Sequence, residues 1–96
     1  MEGIIIDEVQ KLVYGKISSI PREKSIKYLR PIRENLGISQ RDLATKAFVT
    51  NTCIYKIEKK IMKPSHDTWE SIKDALIDEA DAVVDRLRAI AEVRIR

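Results

Sequence analysis

The chain has 96 residues, of which 44% are hydrophobic and 34% charged, and its formal net charge is +3. This length supports one modest hydrophobic core and no second independent domain. Apolar runs such as Ile4 to Ile6 are far shorter than the roughly 20 residues of a membrane-spanning helix. With no basic leader or cleavage site visible, we expect a cytoplasmic protein without membrane contact, and Cys53, the single cysteine, excludes an internal disulfide.

Few aromatic residues, three glycines and three prolines favour an all-α fold. The charge is unevenly distributed along this chain. Residues 21–66 carry eleven basic and four acidic side chains, a net charge of +7, between flanks of −1 and −3. Such a cationic block attracts polyanions, although a solvated basic surface would have the same composition.

The first part of the chain contains two predicted helices. The spacing of Ile5, Val9 and Leu12 predicts a helix over 3–14 that ends at Gly15, although the three isoleucines would also suit a strand. Residues 16–20 read as a polar connector, and Pro21 suits the first turn of a second helix that runs to Leu36. Pro31 predicts a kink or short break near Arg30.

Two short helices follow, over 40–47 and 51–59. Ser39 and Thr50 are the expected N-caps, because a hydroxyl there can accept from a backbone N–H of the first turn. From 67 to 96 no Gly or Pro intervenes, so a fourth helix is expected to pass into a fifth with a bend near residues 77 and 78. We therefore divide the chain into an extension (1–20), a central domain (21–77) and a carboxyl-terminal amphipathic helix (78–96).

The sequence "LRPIRENLGISQRDLATKA", followed by "TNTCIYKIEKK" and "KPSHDTWESIKDAL", resembles the helix-turn-helix family of lambda repressor and Cro, the xenobiotic-response-element family, over about residues 26–77. The resemblance implies a bundle of four to five helices, with an additional N-terminal helix and a long C-terminal helix. It also implies a sequence-specific transcriptional regulator, and we expect a repressor that binds double-stranded DNA, with no catalytic role, no cofactor and no metal site.

The resemblance also implies roles for individual residues. Arg33 would pair with Glu58 and hold the helix over 51–59, which would read bases in the major groove. The expected base contacts are Asn51, Thr52, Lys56 and Tyr55. The expected phosphate contacts are Gln40, Arg41, Thr50, Lys59, Lys60 and Lys63.

Two positions depart from the family pattern. Phe48 stands in the turn between the two short helices, where the family usually has glycine because the backbone there tends to adopt positive φ. Lys60 stands where the family often has a second glycine, so the loop after the helix over 51–59 is also open. Either Phe48 tolerates this strain or the turn is reshaped, and its ring could recover part of the cost by packing over the turn.

Proteins of this kind usually bind DNA as two-fold dimers, so we expect a homodimer. The expected interface is Ala80, Val83, Val84, Leu87, Ile90 and Ala91. These residues could instead cover the domain's own core, and residues 3–14 are a competing dimer surface. Two alternative functions remain open: an antitoxin-type regulator with a protein partner, and an adaptor of the same fold that binds an acidic protein or RNA.

Overall fold

The computed structural model describes the backbone of residues 11–95 and the side chains of residues 11–90. This part of the chain contains helices and no strand, which confirms the all-α prediction. The helices are α1 (11–18), α2 (Ser25–Leu36), α3 (Gln40–Ala47), α4 (Asn51–Glu58) and α5 (His66–Ile95), with a 3₁₀ turn at Arg22–Lys24 before α2. None of the helices in this part is long and apolar enough to cross a membrane.

The described part of α1 corrects the prediction that a helix ends at Gly15. Of the predicted helix over 3–14, residues 3–10 lie outside the described residues. The rest is helical and continues through Gly15 to residue 18, with the Ser18 hydroxyl donating to the Gly15 carbonyl. Ile17 explains the extension, because it is only 4% exposed and belongs to the domain core. Residues 16–18 are therefore helix and not connector.

Helix α2 is continuous through Pro31, so of the predicted kink or short break near Arg30 the break does not occur. Proline lacks the N–H that would bond the carbonyl of Lys27, four residues earlier. Both Pro31 and Lys27 are exposed, so water can satisfy that carbonyl and the helix persists. The helix ends as predicted at Gly37, which adopts φ 75 and ψ 19.

Helix α5 is a single element of 30 residues, and residues 77 and 78 lie inside it without interruption. Its first half packs on the other helices through Trp69, Ile72 and Leu76, each at most 1% exposed. Trp69 also donates its indole N–H to the carbonyl of Ile20 at 2.9 Å, which fastens the segment before α2 to the core. The tryptophan is thus a core residue and not a stacking platform.

Candidate nucleic-acid interface

Helix α4 has a buried side and an exposed side. Ile54 and Ile57 are 0% exposed and share the core with Leu43, Ala44 and Ala47 of α3. The small alanines allow the two helices to approach closely. The opposite side carries exposed polar residues, which we call the outer face of α4. These are Asn51, Thr52, Tyr55 and Lys56.

Three residues connect α3 to α4, and the first of them has a left-handed backbone. Phe48 adopts φ 58 and ψ 38, so it tolerates the strain and the turn keeps the conformation that favours glycine. Its side chain is 95% exposed, so the ring does not recover the cost by packing over the turn. Val49 packs partly against the core, and its N–H donates to the Ala44 carbonyl at 3.0 Å.

Side-chain caps fix where the two helices begin. The Ser39 hydroxyl accepts from the backbone N–H of Asp42 at 3.0 Å, and the Thr50 hydroxyl accepts from that of Cys53 at 3.0 Å. Both caps lie where they were predicted. Thr50 therefore uses its hydroxyl as an acceptor within the chain, which leaves the hydroxyl hydrogen as its donor to a phosphate.

After α4 the chain turns through a second left-handed residue. Lys60 adopts φ 64, and the following N–H, that of Ile61, donates to the Lys56 carbonyl at 2.9 Å. Within residues 11–95, the positive-φ residues other than glycine are Phe48 and Lys60. They lie at the two positions where the family that the sequence resembles often has glycine, so the chain keeps both turns at a conformational cost.

A buried ion pair joins α2 to the end of α4. Arg33 donates to Glu58 through Nε at 2.6 Å and Nη2 at 3.0 Å, and its Nη1 donates to the Ile38 carbonyl at 3.0 Å. The Glu58 side chain is only 3% exposed. The hydrogen bond with Glu58 raises the pKa of Arg33 above its ordinary value. The pair expected from the sequence is therefore present, in the bidentate geometry that makes such contacts strong.

Gln40 of α3 completes this network, which the sequence reasoning missed. Its Nε2 donates to Glu58 at 3.0 Å, so the amide is oriented toward the buried ion pair. Only the second N–H of Nε2 remains as a donor to the phosphate that Gln40 was expected to contact. No spacing signal links Gln40 with Glu58, because the contact depends on how α3 and α4 cross.

The basic side chains of the described residues differ in their partners. Lys46 of α3 lies 2.6 Å from Asp78, and Lys73 lies 2.7 Å from Glu70. Exposed lysines of α1 and around the start of α2, at positions 11, 16, 24 and 27, have no carboxylate within 4.0 Å. The same is true, among the described residues, of five exposed cations on and around α4. They are Arg41, Lys56, Lys59, Lys60 and Lys63. Four of the five are predicted phosphate contacts and Lys56 is a predicted base contact.

Tyr55, a predicted base contact on the outer face of α4, also contacts Lys59, a predicted phosphate contact. The Lys59 ammonium lies 5.7 Å from the centre of the Tyr55 ring, a cation–π distance, and the tyrosine is 45% exposed. Tyr55 can therefore hold Lys59 at the edge of the outer face while it presents its own hydroxyl.

No family model, curated protein or solved structure matches this chain. Its own geometry therefore has to support any functional proposal.

Cys53 and His66 are the two described residues whose side chains most often bind transition metals. Cys53 is half-buried on α4, and this burial raises the pKa of its thiol and disfavours the reactive thiolate. His66 is the first residue of α5. Within the described residues no three His, Cys, Asp or Glu side chains are grouped to hold a metal ion.

The residues predicted to form a dimer interface have different exposures. Ala80 and Val84 are 7% and 5% exposed, so they are already covered within the chain. Val83 is half-buried, whereas Leu87 and Ile90 are 48% and 61% exposed. The side chain of Ala91 lies outside the described residues. The surface that a partner could reach is thus narrower than predicted.

Proposed function

We propose that this protein is a sequence-specific DNA-binding regulator with a lambda-repressor-like helix-turn-helix, in which α4 is the recognition helix. The observation that carries the proposal is the exposed outer face of α4, which includes Lys56, together with four further exposed cations on and around α4 that have no carboxylate within 4.0 Å. A polar helix face can exchange hydrogen bonds with base edges in the major groove. Surrounding cations can neutralise the phosphates on either side of that groove.

The chemistry of the outer face supports base reading. The amide of Asn51 suits adenine N6 and N7, the ammonium of Lys56 suits guanine O6 and N7, and the Thr52 methyl can contact thymine. Asn51 and Thr52 lie in the first turn of α4, which is the end of a recognition helix that enters the groove. Phosphate contacts from Arg41, Lys59, Lys60 and Lys63 would set the register without reading sequence.

The rigid attachment of α4 supports the same proposal. Base reading requires side chains held within a fraction of an ångström, and sites built on fixed helices achieve this. The two isoleucines beneath α4, Ile54 and Ile57, and the Arg33–Glu58 pair at its carboxyl end all fasten the helix to the scaffold. We further propose a homodimer that occupies a two-fold operator and represses transcription by blocking polymerase.

An adaptor for an acidic protein is a second candidate, and Phe48 is the observation that favours it. The ring is 95% exposed beside the basic block, and exposed aromatic side chains are common anchors in protein interfaces. An antitoxin-type regulator would combine this contact with DNA binding. The adaptor does not require the outer face of α4 for its contact, whereas the DNA-binding proposal does.

Duplexes selected from a random pool test the proposal. Asn51→Ala and Lys56→Ala should each reduce the preference for the selected duplex over a scrambled one by about 5- to 150-fold, because each removes about 1–3 kcal/mol of discrimination. Arg41→Ala is the control, since loss of a phosphate contact should weaken binding to both duplexes equally. Unchanged preference in both outer-face variants would refute base reading by α4.

A further inference from the structure

An apolar groove of about 410 Å³ lies between α1 and α2, and we call it the α1–α2 groove. Small-molecule sites in proteins usually have volumes of about 300–1,000 Å³ and mostly apolar walls. Five aliphatic side chains line this groove, and all but one of them are only partly buried, so apolar surface remains open within it. They are Val13, Ile17, Ile20, Ile32 and Leu36.

The walls of the α1–α2 groove are held in place by α5. Trp69 donates its indole N–H to the Ile20 carbonyl at 2.9 Å, and the Lys73 ammonium donates to the Ser18 carbonyl at 3.1 Å. Ile17, between these two points, is 4% exposed and belongs to the core. The groove is therefore formed before any ligand enters it, which lowers the entropic cost of binding.

The polar groups at the α1–α2 groove are donors, and none of its described lining residues is acidic. They are the Lys16 ammonium, the Tyr28 hydroxyl and the Asn35 amide, and none of the three forms a hydrogen bond or ion pair within the described part of the chain. The Lys27 ammonium, 5.4 Å from the centre of the Tyr28 ring, adds a second positive charge nearby. A carboxylate accepts hydrogen bonds from all of these donor types, and an ammonium donor strengthens the contact.

We propose that the α1–α2 groove binds a small aliphatic carboxylate. The hydrocarbon body lies along the five aliphatic side chains, and the carboxylate contacts Lys16, with Tyr28 and Asn35 as further donors. A neutral molecule of the same length fits the walls but lacks the ion pair. The proposal does not rest on DNA binding, because no residue of α4 is among those that line the groove.

Titration of the full chain with octanoate and with octan-1-ol tests the proposal by calorimetry. Octanoate should bind with one molecule per chain and more tightly than the alcohol. Val13→Phe should weaken octanoate binding by about 10-fold, because the added ring takes the space of the hydrocarbon body. Leu12→Phe is the matched control, since Leu12 is 61% exposed on the same helix and does not line the groove. This control should bind octanoate as the unaltered chain does.

A second variant tests the contact with the carboxylate. Lys16→Gln should lower the affinity for octanoate by about 2- to 5-fold, as expected for a partly exposed ion pair, and leave that for octan-1-ol unchanged. Lys11→Gln is its control, because Lys11 is an exposed lysine of α1 outside the groove. Lys16 is itself exposed, so this variant keeps the test decisive even if Val13→Phe disturbs the fold seen by far-UV circular dichroism.

Four outcomes would overturn the proposal. They are no binding of octanoate, equal affinity for octanoate and octan-1-ol, unchanged octanoate affinity in both Val13→Phe and Lys16→Gln, and a dimer in light scattering that Val13→Phe converts to a monomer. The last result would mean that a second copy covers the groove. Duplex selection by a chain that binds no octanoate would leave the DNA-binding proposal standing, and octanoate binding without duplex selection would do the reverse.

Discussion

Phe48 is the residue at which local preference and fold conflict most clearly. A left-handed backbone costs a residue with a Cβ atom about 1–2 kcal/mol, and exposure of the ring recovers none of this by burial. The turn forms nevertheless, because Leu43, Ala44 and Ile54 on its two sides are almost fully buried. Tertiary packing of α3 on α4 therefore outweighs the strain of one residue.

Replacement of Phe48 by glycine should stabilise the protein. Phe48→Gly should raise the free energy of unfolding by about 1 kcal/mol, because glycine adopts positive φ at no steric cost. Phe48→Ala is the matched control, since it removes the ring but keeps the Cβ atom and should give little or no gain. Denaturant unfolding measures both values. Equal stability of the two variants would show that φ strain at this position is negligible.

At the scale of the elements, the position of α4 depends on helices that are distant in the sequence. Arg33 of α2 and Gln40 of α3 both donate to Glu58, the last residue of α4. The network therefore ties three helices together at the end of α4 opposite to Asn51. A rotation of α4 would break hydrogen bonds to a carboxylate that is almost fully buried, so the network resists it.

Removal of one partner of this network should be strongly destabilising. Arg33→Ala leaves the buried Glu58 carboxylate without its cation, and the free energy of unfolding should fall by about 3–5 kcal/mol. The control is Arg30→Ala in the same helix. Arg30 pairs with Glu34 at 3.3 Å, but both side chains are more than half exposed, so the expected loss is about 0.3–0.5 kcal/mol. Similar losses in the two variants, measured by denaturant unfolding, would contradict a structural role for the buried pair.

Over the whole molecule, folding separates two kinds of basic residue. Cations such as Arg33, Lys46 and Lys73 contact carboxylates within the chain, and they contribute to the scaffold. The five cations on and around α4 have no carboxylate partner among the described residues. Their positive charge is therefore exposed to solvent on the side of the molecule where α4 lies. The cationic block in the sequence is thus divided by the fold into a neutralised part and an exposed part.

This division predicts the salt dependence of DNA binding. If each of the four cations expected to contact phosphates neutralises one phosphate, log K should fall with log salt with a slope of about −3.6 for one domain on a half-site. Lys60→Ala should reduce the magnitude of the slope by about 1. Lys46→Ala should leave it unchanged, because Asp78 already neutralises that lysine. Titrations at several salt concentrations measure the slope, and a flat response would favour the adaptor.

Local signals in the sequence were sufficient to place α3 and α4. A capping hydroxyl followed by apolar residues at helical spacing fixes both the start of each helix and its buried side, and these are interactions among near neighbours. Gly37 likewise ended α2 as predicted, because only its own backbone conformation is involved. The exposed side of α4 follows from the same local pattern, whereas the base-contact role of its residues is what the family resemblance implies and remains a prediction.

The tertiary structure alone decided what depends on distant contacts. Gly15 does not end α1, because Ile17 gains burial in a core built by later helices, and Gln40 contacts Glu58 only after α3 and α4 have crossed. Which cations remain unpaired was also invisible in the sequence, since Lys46 and Asp78 are 32 residues apart. Hydrophobic periodicity and capping act over one or two helical turns, whereas burial and ion pairing depend on which surfaces the completed fold brings together.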